Sequence, residues 1–82
     1  MYMLILTFQS HYFAMLALKK LEGFSLSPTP RAISSSCSSC LIKERDEGNA
    51  DFFTNLNTFK ALQGLEGIYK LTDNSKEVIF EE

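Results

Sequence analysis

Two cysteines, Cys37 and Cys40, with a pair of serines between them, close a stretch that opens on two prolines and an arginine: Pro28-Thr29-Pro30-Arg31-Ala32-Ile33-Ser34-Ser35-Ser36-Cys37-Ser38-Ser39-Cys40. A cysteine reacts as thiolate, and a nearby guanidinium, hydroxyls or backbone amides favour that form. Arg31 is the cation at hand, and Ser34, Ser35 and Ser36 supply the hydroxyls and amides for a cradle around a sulfur or a small anion. The prolines hold the residues before them extended, so this segment is a loop and not a helix.

The pair also fits other chemistry. Two-residue spacing suits a dithiol in which Cys37 and Cys40 close a disulfide, although a thioredoxin-type pair sits at a helix N-terminus after a strand. As metal ligands the two thiols fall short of the four that a closed zinc site needs, and His11 is the sole histidine. The plainest alternative makes Cys40 a small core residue and Cys37 an idle loop thiol. For Cys40 alone, that plain alternative is favoured.

Around the loop the chain alternates strands and helices. Tyr2 to Phe8 is uniformly apolar or β-favouring, which predicts a strand buried on both faces and central in its sheet. Ser10 is placed to cap a helix whose stripe is Ala14, Ala17, Leu18 and Leu21, with Gly23 as its C′ stop. Phe24 to Ser27 and Cys40 to Glu44 are predicted as strands two and three, the latter running into a charged turn at Glu44 to Gly48. Asn49 or Asp51 then caps a second helix carrying Phe52, Leu56 and Phe59 and ending at Gly64. Gly67 to Leu71 forms strand four. After a polar turn at Thr72 to Ser75, Lys76 to Phe80 either returns as an edge strand or frays. Ser10 and His11, at the end of the first strand, can approach the loop if these elements form one sheet.

This order predicts an α+β fold, a ferredoxin-like βαββαβ two-layer sandwich in residues 1–71, with 72–82 as turn and edge strand or frayed tail. Eighty-two residues suffice for one core and give a thin stability margin, which a homodimer would widen. A formal charge of −2 without a clustered basic face argues against nucleic-acid binding. No apolar run approaches a membrane span, and Met1 to Phe8 is too short, and too poor in leading charge, for a signal peptide. The expectation is a soluble cytoplasmic protein, without a cofactor or a metal, whose thiols are reduced.

The run Leu6-Thr7-Phe8-Gln9-Ser10, the helix with Ala14 and Leu18, Pro28-Thr29-Pro30-Arg31, Ile33-Ser34-Ser35-Ser36-Cys37 and the closing Gly67-Ile68-Tyr69-Lys70-Leu71 together resemble the putative selenium/sulfur carrier protein-like family. The resemblance implies a small α+β domain whose reactive cysteine, here Cys37, holds sulfur or selenium as a persulfide or selenopersulfide. It implies a donor such as a cysteine desulfurase, an acceptor protein, and a carrier more than a stand-alone enzyme. On this view Cys37 carries the chemistry, while Arg31, Ser34, Ser35, Ser36 and Cys40 bind or tune it. Ser38 stands where the family usually has glycine, and Cys40 where it more often has a small or apolar residue. A second function class remains beside it: a non-catalytic module using the same loop for an anion or a protein partner.

Overall fold

The computed structural model describes residues 2–33, 38–45 and 56–82. Its elements are β1 (Tyr2–Phe8), α1 (His11–Lys20), β2 (Ser25–Pro28), β3 (Ser39–Arg45), α2 (Leu56–Lys60), β4 (Leu65–Leu71) and β5 (Lys76–Glu81). The five strands form one antiparallel sheet in the order β2-β3-β1-β4-β5. The expected α+β class is what forms, and β1 lies in the middle of it.

The central position of β1 follows from its composition. Side chains alternate across a strand, so a strand without a polar face must bury both. Tyr2, Leu4, Leu6 and Phe8 enter a core cluster with Ala14, Ala17, Leu41, Phe59, Leu65 and Ile68. Ile5 points the other way, into a smaller cluster with Ile33, Cys40 and Tyr69. Both helices contribute to the larger cluster. Among the described residues, the smaller cluster's only member from outside the strands is Ile33.

Helix α1 buries Ala14 and Ala17, with Leu18 and Leu21 packed beside the core, and Lys19 and Lys20 favour its C-terminal dipole. Ser10 is the N-cap with extended backbone, but its hydroxyl makes no capping bond. The C-cap is Leu21, whose N–H bonds the Ala17 carbonyl. Gly23, at φ 82°, therefore lies two residues beyond the cap, where it turns the chain toward β2 rather than ending the helix as C′.

Strand β2 starts one residue later than its predicted bounds and includes Pro28, which an edge strand tolerates because no neighbour needs its missing N–H. Strands β3 and β4 extend beyond their predicted ends. The predicted start of the second helix, with Asn49, Asp51, Phe52 and Phe53, lies outside the described residues, as does the charged turn beyond Arg45. The described part, α2, buries Phe59, whose ring meets Phe24 edge-on at 5.8 Å. Gly64 follows with φ 76°, and its carbonyl accepts a 2.8 Å bond from the Gln9 N–H.

Of the two alternatives for the tail, the edge strand is the one that forms. Thr72 and Ser75 close the turn through backbone and hydroxyl bonds, and β5 pairs with β4 through a bulge between Ile68 and Tyr69. Ile79 and Phe80 pack on the main core, while Val78 is 48% exposed.

Candidate functional site

The loop that carries the cysteines grows out of the β2–β3 hairpin. Ser27 pairs with Cys40 and Pro28 with Ser39. One further bond, Thr29 N–H to the Ser38 carbonyl at 2.7 Å, extends the ladder and closes the neck of the loop. Beyond the neck, the Ile33 N–H donates to the Pro30 carbonyl at 3.0 Å, so Pro30 to Ile33 is a tight turn with Arg31 and Ala32 at its tip. Neither tip residue needs a positive φ.

The turn does not stand off in solvent. Ile33 is 4% exposed and packs with Ile5, Cys40 and Tyr69 on the sheet face opposite both helices. The Lys76 ammonium, at the start of β5, donates to the Ala32 carbonyl at 2.9 Å. The loop therefore crosses from the β2 edge of the sheet toward the β5 edge, and Ile33 is its apolar foot.

Beneath the foot the register lines up one row of residues across all five strands: Ser27, Cys40, Thr7, Gly67 and Glu81. Cys40 is fully buried, and its thiol points to the Pro28 carbonyl at 3.8 Å, a weak sulfur hydrogen bond. Thr7 is also fully buried and donates to the Gly67 carbonyl at 3.5 Å. The Tyr69 ring lies along the strand over Gly67, where a Cβ would stand 2.7 Å from its hydroxyl. That hydroxyl donates to Glu81 Oε2 at 3.5 Å. Burial, then the Glu81 carboxylate, push the Tyr69 pKa up from 10.0; Glu66 adds to the rise, and the neighbouring Thr7 hydroxyl opposes it.

The sequence-selected residues divide accordingly. Cys40 sits in the core on β3, the environment of a structural thiol. Arg31 is exposed at the tip of the turn and makes no hydrogen bond or ion pair among the described residues. Ser34, Ser35, Ser36 and Cys37 lie outside the described residues, between the anchored Ile33 and the neck at Ser38. His11 is an exposed first-turn residue, and it and Ser10 lie at the same end of the sheet as the neck. Among the described residues, no three of His, Cys, Asp and Glu gather to hold a metal. No described helix is long and apolar enough to cross a membrane.

Lys76, Thr7 and Tyr69 acquire positions around the loop that no motif announces. Lys76 meets Ala32 across 44 positions of chain, a contact without a local pattern. Gly67, two residues before Tyr69 and on the same face, is the one trace in the sequence: it leaves room for the ring.

A family model described as Putative Se/S carrier protein-like matches residues 3–51, more than half of the chain and all of the loop. The comparisons with curated proteins and with solved structures found no match.

Proposed function

This chain belongs to the Putative Se/S carrier protein-like family, and on that footing we propose that Cys37 is the carrier thiol, holding one sulfur or selenium atom between a donor and an acceptor protein. In the sulfur case the Cys37 thiolate attacks the outer sulfur of a donor cysteine persulfide. The donor S–S bond breaks, a new S–S bond forms on Cys37, and the donor leaves as thiolate. No oxidant or reductant is consumed, since the sulfane sulfur changes partner without changing oxidation state. An acceptor thiolate or other nucleophile takes that sulfur in the same way.

The observation that carries this assignment is the burial of Cys40 within a family whose matched stretch includes both cysteines. A thiol with no solvent-exposed surface cannot meet a donor protein's persulfide while Ile33 is seated. That leaves Cys37 as the thiol to present. Arg31, on the same loop and without another partner among the described residues, is the cation assigned to favour the thiolate and persulfide anions. Ser34, Ser35 and Ser36 are assigned the shielding of that anion. The order β2-β3-β1-β4 of the first four strands, with both helices serving one core, supports a ferredoxin-like frame extended by β5. A reduced cytoplasmic setting and a cysteine desulfurase as donor complete the reading.

The test is intact-mass analysis after incubation with a cysteine desulfurase and cysteine. A gain of about 32 Da, one sulfur, is expected in the wild type and in Cys40→Ala and absent in Cys37→Ser. A folded protein that gains no sulfur, or gains it on Cys40, would overturn the assignment.

A further inference from the structure

We propose that Lys76 is a positioning residue for the cysteine loop: its ammonium, donated to the Ala32 carbonyl, fastens the Pro30–Ile33 turn to the sheet and keeps Ile33 seated against Cys40. Lys76 lies beyond residues 3–51, the stretch that the family model matches. The last strand thus reaches the site loop from outside the matched stretch.

Contacts at the neck, the middle and the tip hold the described part of the loop. At the neck, Thr29 and Ser38 are joined through their backbones. In the middle, Ile33 fills the space beside Ile5, Cys40 and Tyr69. At the tip, Lys76 holds Ala32, next in sequence to Arg31. The neck bond belongs to the hairpin and would persist if the turn swung outward. The swing would draw Ile33 from its cluster and expose Cys40, and Lys76 is the side chain that bridges the turn to the far edge of the sheet. Lys76 pairs with Leu71 in the β4–β5 register, on the face where Leu71 packs beside this cluster, so its ammonium needs no rearrangement to reach the loop.

The consequence for Cys37 rests on the carrier reading above. With the turn held, the two described residues that flank the Ser34 to Cys37 segment, Ile33 and Ser38, are both anchored to the sheet. Without the latch, the Ile33 anchor is weakened while the Ser38 anchor stays. The latch itself does not need the carrier reading, because Cys40 reports it independently.

The experiment measures alkylation of Cys40 by iodoacetamide in a Cys37→Ser background, at neutral pH and well below the melting temperature. Labelling of a buried thiol follows the fraction of time its cover is open. Lys76→Gln should speed Cys40 labelling about three- to tenfold, as for loss of one solvent-exposed hydrogen bond. Lys76→Arg should restore most of the protection, because a guanidinium can donate to the same carbonyl. Lys70→Gln, on the opposite face over the Tyr2 ring, should leave the rate unchanged. Ile33→Ala, which removes the cover itself, should exceed Lys76→Gln. An unchanged rate in Lys76→Gln would overturn the latch. So would acceleration matched by a proportional fall in global stability, or an equal acceleration in Lys76→Arg. Sulfur loading on Cys37 is scored separately in the wild-type background, so a failed carrier assay leaves the labelling result standing.

Discussion

Replacing Gly64 by alanine tests the close approach between the α2–β4 turn and α1. Gly64 has φ 76°, a left-handed conformation that costs an L-residue about 1–2 kcal/mol. A Cβ built there overlaps Phe13, well inside van der Waals contact of its Cγ, Cδ2 and Cβ atoms. Phe13 is half-buried against the main core, so its ring must leave that packing, a displacement of the kind that costs about 1–3 kcal/mol. The two effects together predict a loss of about 2–5 kcal/mol. For 82 residues the whole stability is on the order of 4–12 kcal/mol, so the variant should sit near the edge of folding. Urea unfolding of four proteins separates the causes: wild type, Gly64→Ala, Phe13→Ala and the double variant. With the ring gone, the backbone share of about 1–2 kcal/mol and the contact with the Cβ retained at position 13 remain, so Gly64→Ala should cost less than it does in the wild type. A Gly64→Ala loss below about 0.5 kcal/mol, or one that Phe13→Ala leaves unreduced, would refute the steric argument.

Tyr69 supplies a pH dependence whose sign follows from its raised pKa. The folded protein holds the phenol proton more tightly than the unfolded chain, so stability is intact below pH 10.0 and declines as the pH rises past it. Melting curves between pH 8 and 11 should show a downward slope that Tyr69→Phe reduces; equal slopes would contradict the assignment. Glu81→Gln should bring the Tyr69 titration, followed by phenolate absorbance, back toward its ordinary value, burial and then Glu66 accounting for what shift remains. Cys40→Ala leaves a small void in the Ile5–Ile33–Tyr69 cluster and should cost about 1 kcal/mol or somewhat more, a fall of about 4–8 °C in Tm by calorimetry. Phe59→Ala removes a buried ring and its edge-on contact with Phe24, so a loss of about 3–5 kcal/mol in denaturant titration is expected. A loss below about 1 kcal/mol would remove α2 from the core.

Periodicity made the frame legible. The uninterrupted apolar run of β1 required two covered faces, and a five-stranded sheet with β1 in the middle provides them. The Ala14–Ala17 stripe and the glycines before β2 and β4 were readable for the same local reason: each acts within a turn or two of chain. Gly23 was placed at C′ because the sequence does not say where the last helical bond falls, and Leu21 turned out to be the cap. The burial of Cys40 followed from its place on β3, as the plain alternative had it. Loop placement was not legible. Ile33 stood out only as part of a run of residues, and nothing in its neighbourhood says that it folds back on Tyr69. The Lys76–Ala32 contact depends on a loop crossing the sheet, which neither hydrophobic period nor turn chemistry encodes.

The central position of β1 carries a cost that appears during synthesis. Strand β1, made before the other four described strands, is the one with the most apolar surface and two missing neighbours. Ile5 waits first for Ile42 and then for Tyr69 before both edges of its strand are paired. Such distant pairing is slow, and an unpaired apolar strand attracts other chains meanwhile. The nascent protein should therefore stay prone to aggregation until β4 emerges, because β3 caps β1 on one side only. The same vectorial order means that Cys40 is made before Lys76 and Tyr69, so this thiol is at its most accessible before the fold that buries it is complete.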